Sequence, residues 1–200
     1  MDEKQRSVIA KAESFARAVM MDDSSGHDYE HVIRVRRMAE KILMHERADA
    51  YVVILSALLH DVDDKKLGGP GDRAERFLRD QNVDETIRNA VLGILATMSY
   101  SAQAAGAATP SIEGRIVQDA DRLDAIGAIG VARAFAYGGK KGRPLYAGSN
   151  DDDSSLSHFH QKLLKLKDLM NTKTAKRIAV KRHRFLVGYL KRFMAEWDGK

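Results

Sequence analysis

Residues 50–66 read AYVVILSALLHDVDDKK, and the fold turns on how the first ten are taken. Val52, Val53 and Ile54 would push a propensity count toward a strand. Asp49 stands where a helix cap belongs, however, and the run from Tyr51 to Leu59 is apolar on nearly every face, broken only by Ser56. We read it as a helix buried on all sides. It ends in His60 and Asp61, followed by Asp63 and Asp64, a cluster with no packing use beside a buried helix. Ionised carboxylates in that position need a partner or a cation.

Outward from this helix the spacing is helical almost everywhere. Val8, Ala12, Phe15 and Val19 form one stripe on a first helix. Asp28 can cap a second, whose stripe runs through Val32, Val35, Ala39, Ile42 and Leu43. Residues 61–72, DVDDKKLGGPGD, form a loop, and RAERFLRD (73–80) a short helix. Asp84 can cap a helix with Ile87, Val91, Ile94, Leu95 and Met98 on one face. Residues 99–110, small and poor in large apolar side chains, read as a mobile loop or lid. Ser111 can cap a helix over 112–126, which residues 127–137 continue with glycines at a close contact. Residues 138–155 read as flexible, and two helices close the chain, over about 156–170 and 174–197. No strand shows convincing alternation and no repeat has a fixed period. The expectation is an all-α, compact single-domain helical bundle spanning residues 1–200, with its core at about 26–184.

The 200 residues are 44% hydrophobic and 30% charged, an ordinary globular balance. The absence of cysteine removes disulfides, thiolate metal sites and cysteine nucleophiles, and agrees with a reducing cytoplasm, the expected location. The charged N-terminus lacks the apolar core of a signal peptide. The apolar run at 51–59 falls well short of the roughly 20 residues a membrane span needs, so no membrane partner is expected. Net charge is +5, partly carried by KTAKRIAVKRHRF (173–185). That run reads as a solvated helix face rather than a nucleic-acid contact, since no aromatic residue interleaves with it as a stacking platform would.

Four residues stand out once the helices are drawn. His31 lies in the first turn of the second helix, His60 and Asp61 end the third, and Asp121 sits within IVQDADRLDAI (116–126). Val117, Ala120 and Asp124 fall at helical spacings from Asp121, which turns its face inward. Two imidazoles and two carboxylates around one divalent ion would satisfy all four. Neighbouring side chains on a helix point about 100° apart, so His60 and Asp61 can take adjacent corners of one coordination sphere. Nitrogen and oxygen ligands without thiolate suit Mn²⁺, Fe²⁺, Co²⁺ or Mg²⁺ with open positions better than a closed zinc site. The alternatives are structural: His60 capping the last carbonyls of its helix, and His31 as a core histidine bonded to backbone.

GHDYEHVIRV (26–35), LLHDVDD (58–64) and IVQDADRLDAIGAIGVARAF (116–135) together resemble the ordered H…HD…D signature of the HD-domain metal-dependent phosphohydrolases. FAYGGKKGRPLY (135–146) and HFHQKLLKLKDLMNT (158–172) are similar to a bacterial branch of compact members, the YedJ/YpgQ type. The resemblance covers about Gly26 to Arg184. It implies an all-helical HD fold, with His31, His60, Asp61 and Asp121 as ligands of a divalent metal, Mn²⁺ first. It also implies hydrolysis of phosphate bonds, with nucleoside or deoxynucleoside triphosphates split to monophosphate and pyrophosphate as the leading class.

Around the metal, Asp64 is expected to orient or deprotonate a water, with an Asx-type turn as its alternative. Asp124, one turn beyond Asp121, is expected to hydrogen-bond a ligand histidine, and Asp119 to be solvated. Lys65 and Arg122 border the ligands in sequence and would offset substrate charge. Lys140, Lys141 and Arg143 lie in a glycine-rich loop that could close over phosphates. His27 could donate to a phosphate, and Tyr146 or Tyr100 could stack on a base. Competing readings are a phosphodiesterase or phosphomonoesterase using the same ligands, and a nucleic-acid or regulatory binding module that kept the metal centre. Whether the chain forms a homodimer is open.

Overall fold

The structure, a computed structural model, describes residues 1–200 except 22–27, 65–66, 69, 99–109 and 150–151. Among the described residues every regular element is helical: α1 (Glu3–Met20), α2 (Tyr29–Leu43), α3 (Ala50–Leu59), α4 (Arg73–Asp80), α5 (Glu85–Thr97), α6 (Ile112–Asp124), α7 (Gly127–Lys140), α8 (Ser157–Gln161), a 3₁₀ segment (Leu163–Leu169) and α9 (Lys173–Trp197). The all-α expectation holds, and the β-branched run of α3 is a helix.

The starts of these helices are chemically marked. The Asp28 carboxylate accepts from the His31 N–H at 2.9 Å. Asp49 accepts from Tyr51 N–H at 2.8 Å and Val52 N–H at 3.3 Å. Asp84 accepts from Thr86 N–H at 2.8 Å. Each satisfies amide donors that the first turn cannot pair.

Residue contacts gather into two units, one formed by most of residues 1–120 and the other by residues 121–200. In the first, α3 is the centre. Every side chain from Tyr51 to Leu59 is buried, against α1, α2 and α5. With Leu55 and Leu58 wholly excluded from solvent, truncating either to alanine would cost about 2–5 kcal/mol. The buried stripe of α1 is Val8, Ile9, Ala12, Ala16 and Met20. It is rotated from the expected one: Phe15 and Val19 stay half-exposed, Phe15 because it leaves the α3 side to stack on Phe77 of α4 at 4.9 Å.

In the second unit α9 packs on α7 and on the 3₁₀ segment. Phe135, Phe159, Tyr189, Phe193 and Trp197 form a chain of ring contacts, with centroids between 5.8 and 6.2 Å apart. Three expectations need correction here. The helix expected over 112–126 ends at Asp124, because Ile126 turns to an extended backbone (φ −127°, ψ 162°) and α7 begins anew. Gly138, Gly139 and Lys140 belong to α7 rather than to a flexible loop. The helix expected over 156–170 breaks at Lys162 (φ −133°) and resumes as a 3₁₀ segment. Three residues per turn put Leu163 and Leu166, both buried, on one face there.

Candidate metal centre

Two elements, α2 and the end of α3, bring the imidazoles and the Asp61 carboxylate together. Asp28 fixes the first turn of α2, and this points the His31 ring into the interior, where it has no solvent exposure. His60 closes α3, and its Nδ1 donates to the Ala57 carbonyl at 2.8 Å. A carbonyl only accepts, so Nδ1 carries the hydrogen and neutral His60 keeps its lone pair on Nε2. That atom lies 3.2 Å from His31 Nε2. Asp61 Oδ2 stands 3.3 Å from His60 Nε2 and 3.4 Å from His31 Nε2. The capping alternative for His60 is thus realised on one ring nitrogen, and it orients the other.

This donor set fits a divalent cation. Ligands about 2.1 Å from a first-row ion or Mg²⁺ sit about 3.0–3.4 Å from their neighbours around an octahedron or tetrahedron. The three atoms here are spaced that way. His60 also has the backbone-bonded second nitrogen that ligating histidines typically use to set their ring.

Asp121 is carried by α6, a continuous helix whose residues up to Ala120 belong to the first unit. Helical backbone sets this position: the Asp121 carbonyl accepts from Ala125 N–H at 3.3 Å, and Gln118, one turn earlier, donates to the Met98 carbonyl at 3.1 Å.

The turn after α3 is held from a distance. Asp63 accepts from the N–H groups of Arg73 and Ala74 at 2.8 and 3.0 Å, and the Arg73 guanidinium donates to the Val62 carbonyl at 3.1 Å. Asp63 therefore caps α4 from ten residues upstream, a role sequence reading missed because local spacing puts Asp72 there. Asp72 makes no cap hydrogen bond. Replacing Asp63 with Ala should cost about 1–2 kcal/mol, since two α4 amides lose their acceptor. A urea midpoint matching the wild-type value would show that water replaces it.

Asp64 is half-buried, and its N–H closes the same turn on the Asp61 carbonyl at 3.0 Å. Asp119, expected in solvent, is wholly buried, because Ile116 through Ala120 are all buried and α6 has no wet face there. Asp124 pairs with Arg133 at 2.8 Å. Arg122, itself buried, donates to the Leu169 carbonyl, and Arg182 donates to that of Leu123. Burial lowers the Arg182 pKa, partly offset by the charge of Asp124. Arg133 and Arg182, which no local signal marked, hold the end of α6.

Of the other candidate substrate contacts, Arg143 pairs with Asp153 at 3.0 Å and lies, like Lys141, 5.9 Å from the Tyr137 ring centre. Tyr146 meets Trp197 edge-on at 5.4 Å, and Lys140 is exposed at the end of α7. His27, Lys65, Tyr100 and the lid expected at 99–110, apart from Pro110, lie outside the described residues. Among the described residues no helix is long and apolar enough to cross a membrane.

Comparison with known proteins agrees with this geometry. The model of the HD domain matches residues 28–126. The chain is 41% identical to the uncharacterized protein YpgQ of Bacillus subtilis over 191 residues, 93% of this chain and 92% of that one. An HD-superfamily hydrolase of Bacillus thuringiensis superposes with a TM-score of 0.79 at 41% identity, covering 98% of this chain and all of the other. Bacillus subtilis YpgQ, crystallised in complex with ADP, superposes with a TM-score of 0.80 at 36% identity over 94% and 97% of the two chains. With the paired imidazoles, the adjacent carboxylate and these relatives in agreement, the chain belongs to the HD-domain family of metal-dependent phosphohydrolases.

Proposed function

We propose that the protein hydrolyses nucleoside or deoxynucleoside triphosphates to the monophosphate and pyrophosphate. His31, His60, Asp61 and Asp121 would hold the divalent ion, with Mn²⁺ the first candidate. The observation that carries this reading is the convergence of His31 Nε2, His60 Nε2 and Asp61 Oδ2 within 3.2–3.4 Å of one another. The ADP bound by YpgQ supports a nucleotide as the substrate.

When bound, the ion supplies Lewis acidity toward a phosphoryl oxygen and lowers the pKa of water. The chain's own part is placement and proton handling. The Ala57 carbonyl holds the His60 ring in one tautomer, and buried His31 cannot swing into solvent. Asp64, at the end of the turn begun by Asp61, would accept the proton of the attacking water. In-line attack at phosphorus then spreads charge onto equatorial oxygens, which Lys65 is expected to offset.

Phosphorus NMR of nucleoside triphosphates incubated with the protein and Mn²⁺, Mg²⁺ or Co²⁺ tests the reading. Monophosphate with pyrophosphate is the expected product pair, lost on chelation and restored by added metal. Orthophosphate alone would instead make the protein a phosphatase. No turnover, with salt-sensitive binding of RNA or DNA, would make it a binding module.

A further inference from the structure

α1 and α4 present matching surfaces across a cleft of about 680 Å³. Ser7, Ala10, Lys11 and Ser14 recur at three- and four-residue steps on α1, and Arg73, Arg76, Phe77 and Asp80 do the same on α4. These are the spacings of one helix face. Phe15 and Phe77, both lining the cleft, stack at 4.9 Å with their planes 21° apart. Phe77 is buried, whereas Phe15 is half-exposed and can take a second flat group against its ring.

The charge around this aromatic platform is lopsided. Lys11, Arg73 and Arg76 line the cleft against a single acid, Asp80. Arg76 shares its charge with Asp72 at 3.0 Å, but both side chains are about half exposed, so water screens that pair and leaves Arg76 able to turn to another anion. Lys11 is exposed. A flat ring beside two or three cations, with Asp80 and Gln81 as polar groups at the rim, suits a ligand having an aromatic body and an anionic tail.

We propose that the α1–α4 cleft, lined by Lys11, Phe15, Arg76 and Phe77, is a second binding site, taking an aromatic monophosphate of the nucleoside monophosphate class. The ring lies on Phe15 and the phosphate is held by Lys11 and Arg76. The site shares none of the proposed metal ligands, so it stands or falls separately from the hydrolytic reading. Its wall includes Arg73, whose backbone N–H is held by Asp63 and whose guanidinium holds the Val62 carbonyl. Occupancy can therefore be felt in the turn that carries Asp61.

The test is calorimetric titration of the full chain, freed of divalent metal, with AMP. Adenosine and inorganic phosphate serve as half-ligand controls. Repeating the titration in an Asp61→Ala background separates this cleft from the metal centre. AMP should bind in both backgrounds, at least tenfold more tightly than either half-ligand. Lys11→Ala combined with Arg76→Ala should weaken AMP binding at least tenfold while leaving the helical signal and basal turnover unchanged. Phe15→Leu should weaken AMP but not phosphate. The proposal is overturned if AMP fails to bind metal-free protein. It is equally overturned if the doubly substituted protein binds AMP as well as wild type does, or if binding disappears with Asp61→Ala.

Discussion

Asp61→Ala should lower kcat/KM for metal-dependent phosphate hydrolysis at least a thousandfold, equivalent to about 4 kcal/mol of lost transition-state stabilisation, while the far-UV helical signal stays at its wild-type level. The two halves of this expectation have different causes. Asp61 Oδ2 is the carboxylate member of a trio whose other members are imidazole nitrogens, 3.3 and 3.4 Å away. Without it, two imidazoles remain and the trio has no carboxylate charge to hold a dication. The fold, by contrast, asks little of Asp61. It lies beyond the end of α3 with its side chain 18% exposed, and the turn around it is held by Asp63 and by backbone hydrogen bonds. Thermal unfolding supplies a readout independent of turnover: Mn²⁺ at a hundred times its Kd should stabilise wild type by about 2.7 kcal/mol and the variant hardly at all. Near-normal turnover in Asp61→Ala, with Mn²⁺ still raising its Tm, would sink the metal assignment.

His60 shows why part of the site could be read from sequence and part could not. That His60 and Asp61 end a buried helix is local information. The helix needs only its Asp49 cap and an apolar surface, and the two residues then occupy adjacent directions at its end. His31 followed from the same logic, since the Asp28 cap that starts α2 also places His31 in its first turn. Sequence spacing could not show that one ring nitrogen of His60 caps its helix while the other faces His31 and Asp61. It could not show Asp63 reaching ten residues forward to α4 either, because that bond depends on how the intervening loop folds back. Asp119 was misjudged for a related reason. Helical periodicity assigns one wet face to an amphipathic helix, whereas Ile116 through Ala120 are covered on all sides. The break at Lys162 is of the same kind: Leu163 and Leu166 choose a three-residue repeat to reach the core, which local propensity does not encode.

The corner between α6 and α7 gives a prediction that joins stability to metal affinity. A Cβ added to Gly130 would stand 2.3 Å from the Ala125 carbonyl oxygen and 2.5 Å from its carbon. These are backbone atoms, which cannot rotate aside as a side chain would. Gly130→Ala must therefore push α7 away from the end of α6, at a cost of about 2–3 kcal/mol. In a chain of this length that lowers Tm by about 4–12 °C. The displacement also has a route to Asp121, a proposed ligand. Ala125 N–H is bonded to the Asp121 carbonyl at 3.3 Å, and Asp124 is tied to Arg133 of α7 at 2.8 Å. Half-saturation by Mn²⁺ should consequently move to higher concentration in Gly130→Ala. Gly139→Ala, on the same helix, is the control. Its Cβ meets nothing within 4 Å and the position is exposed, so removing a helical glycine should leave stability unchanged or raise it by up to about 1 kcal/mol. Should both variants melt with wild type, the close packing of Gly130 on Ala125 would not be what sets this corner.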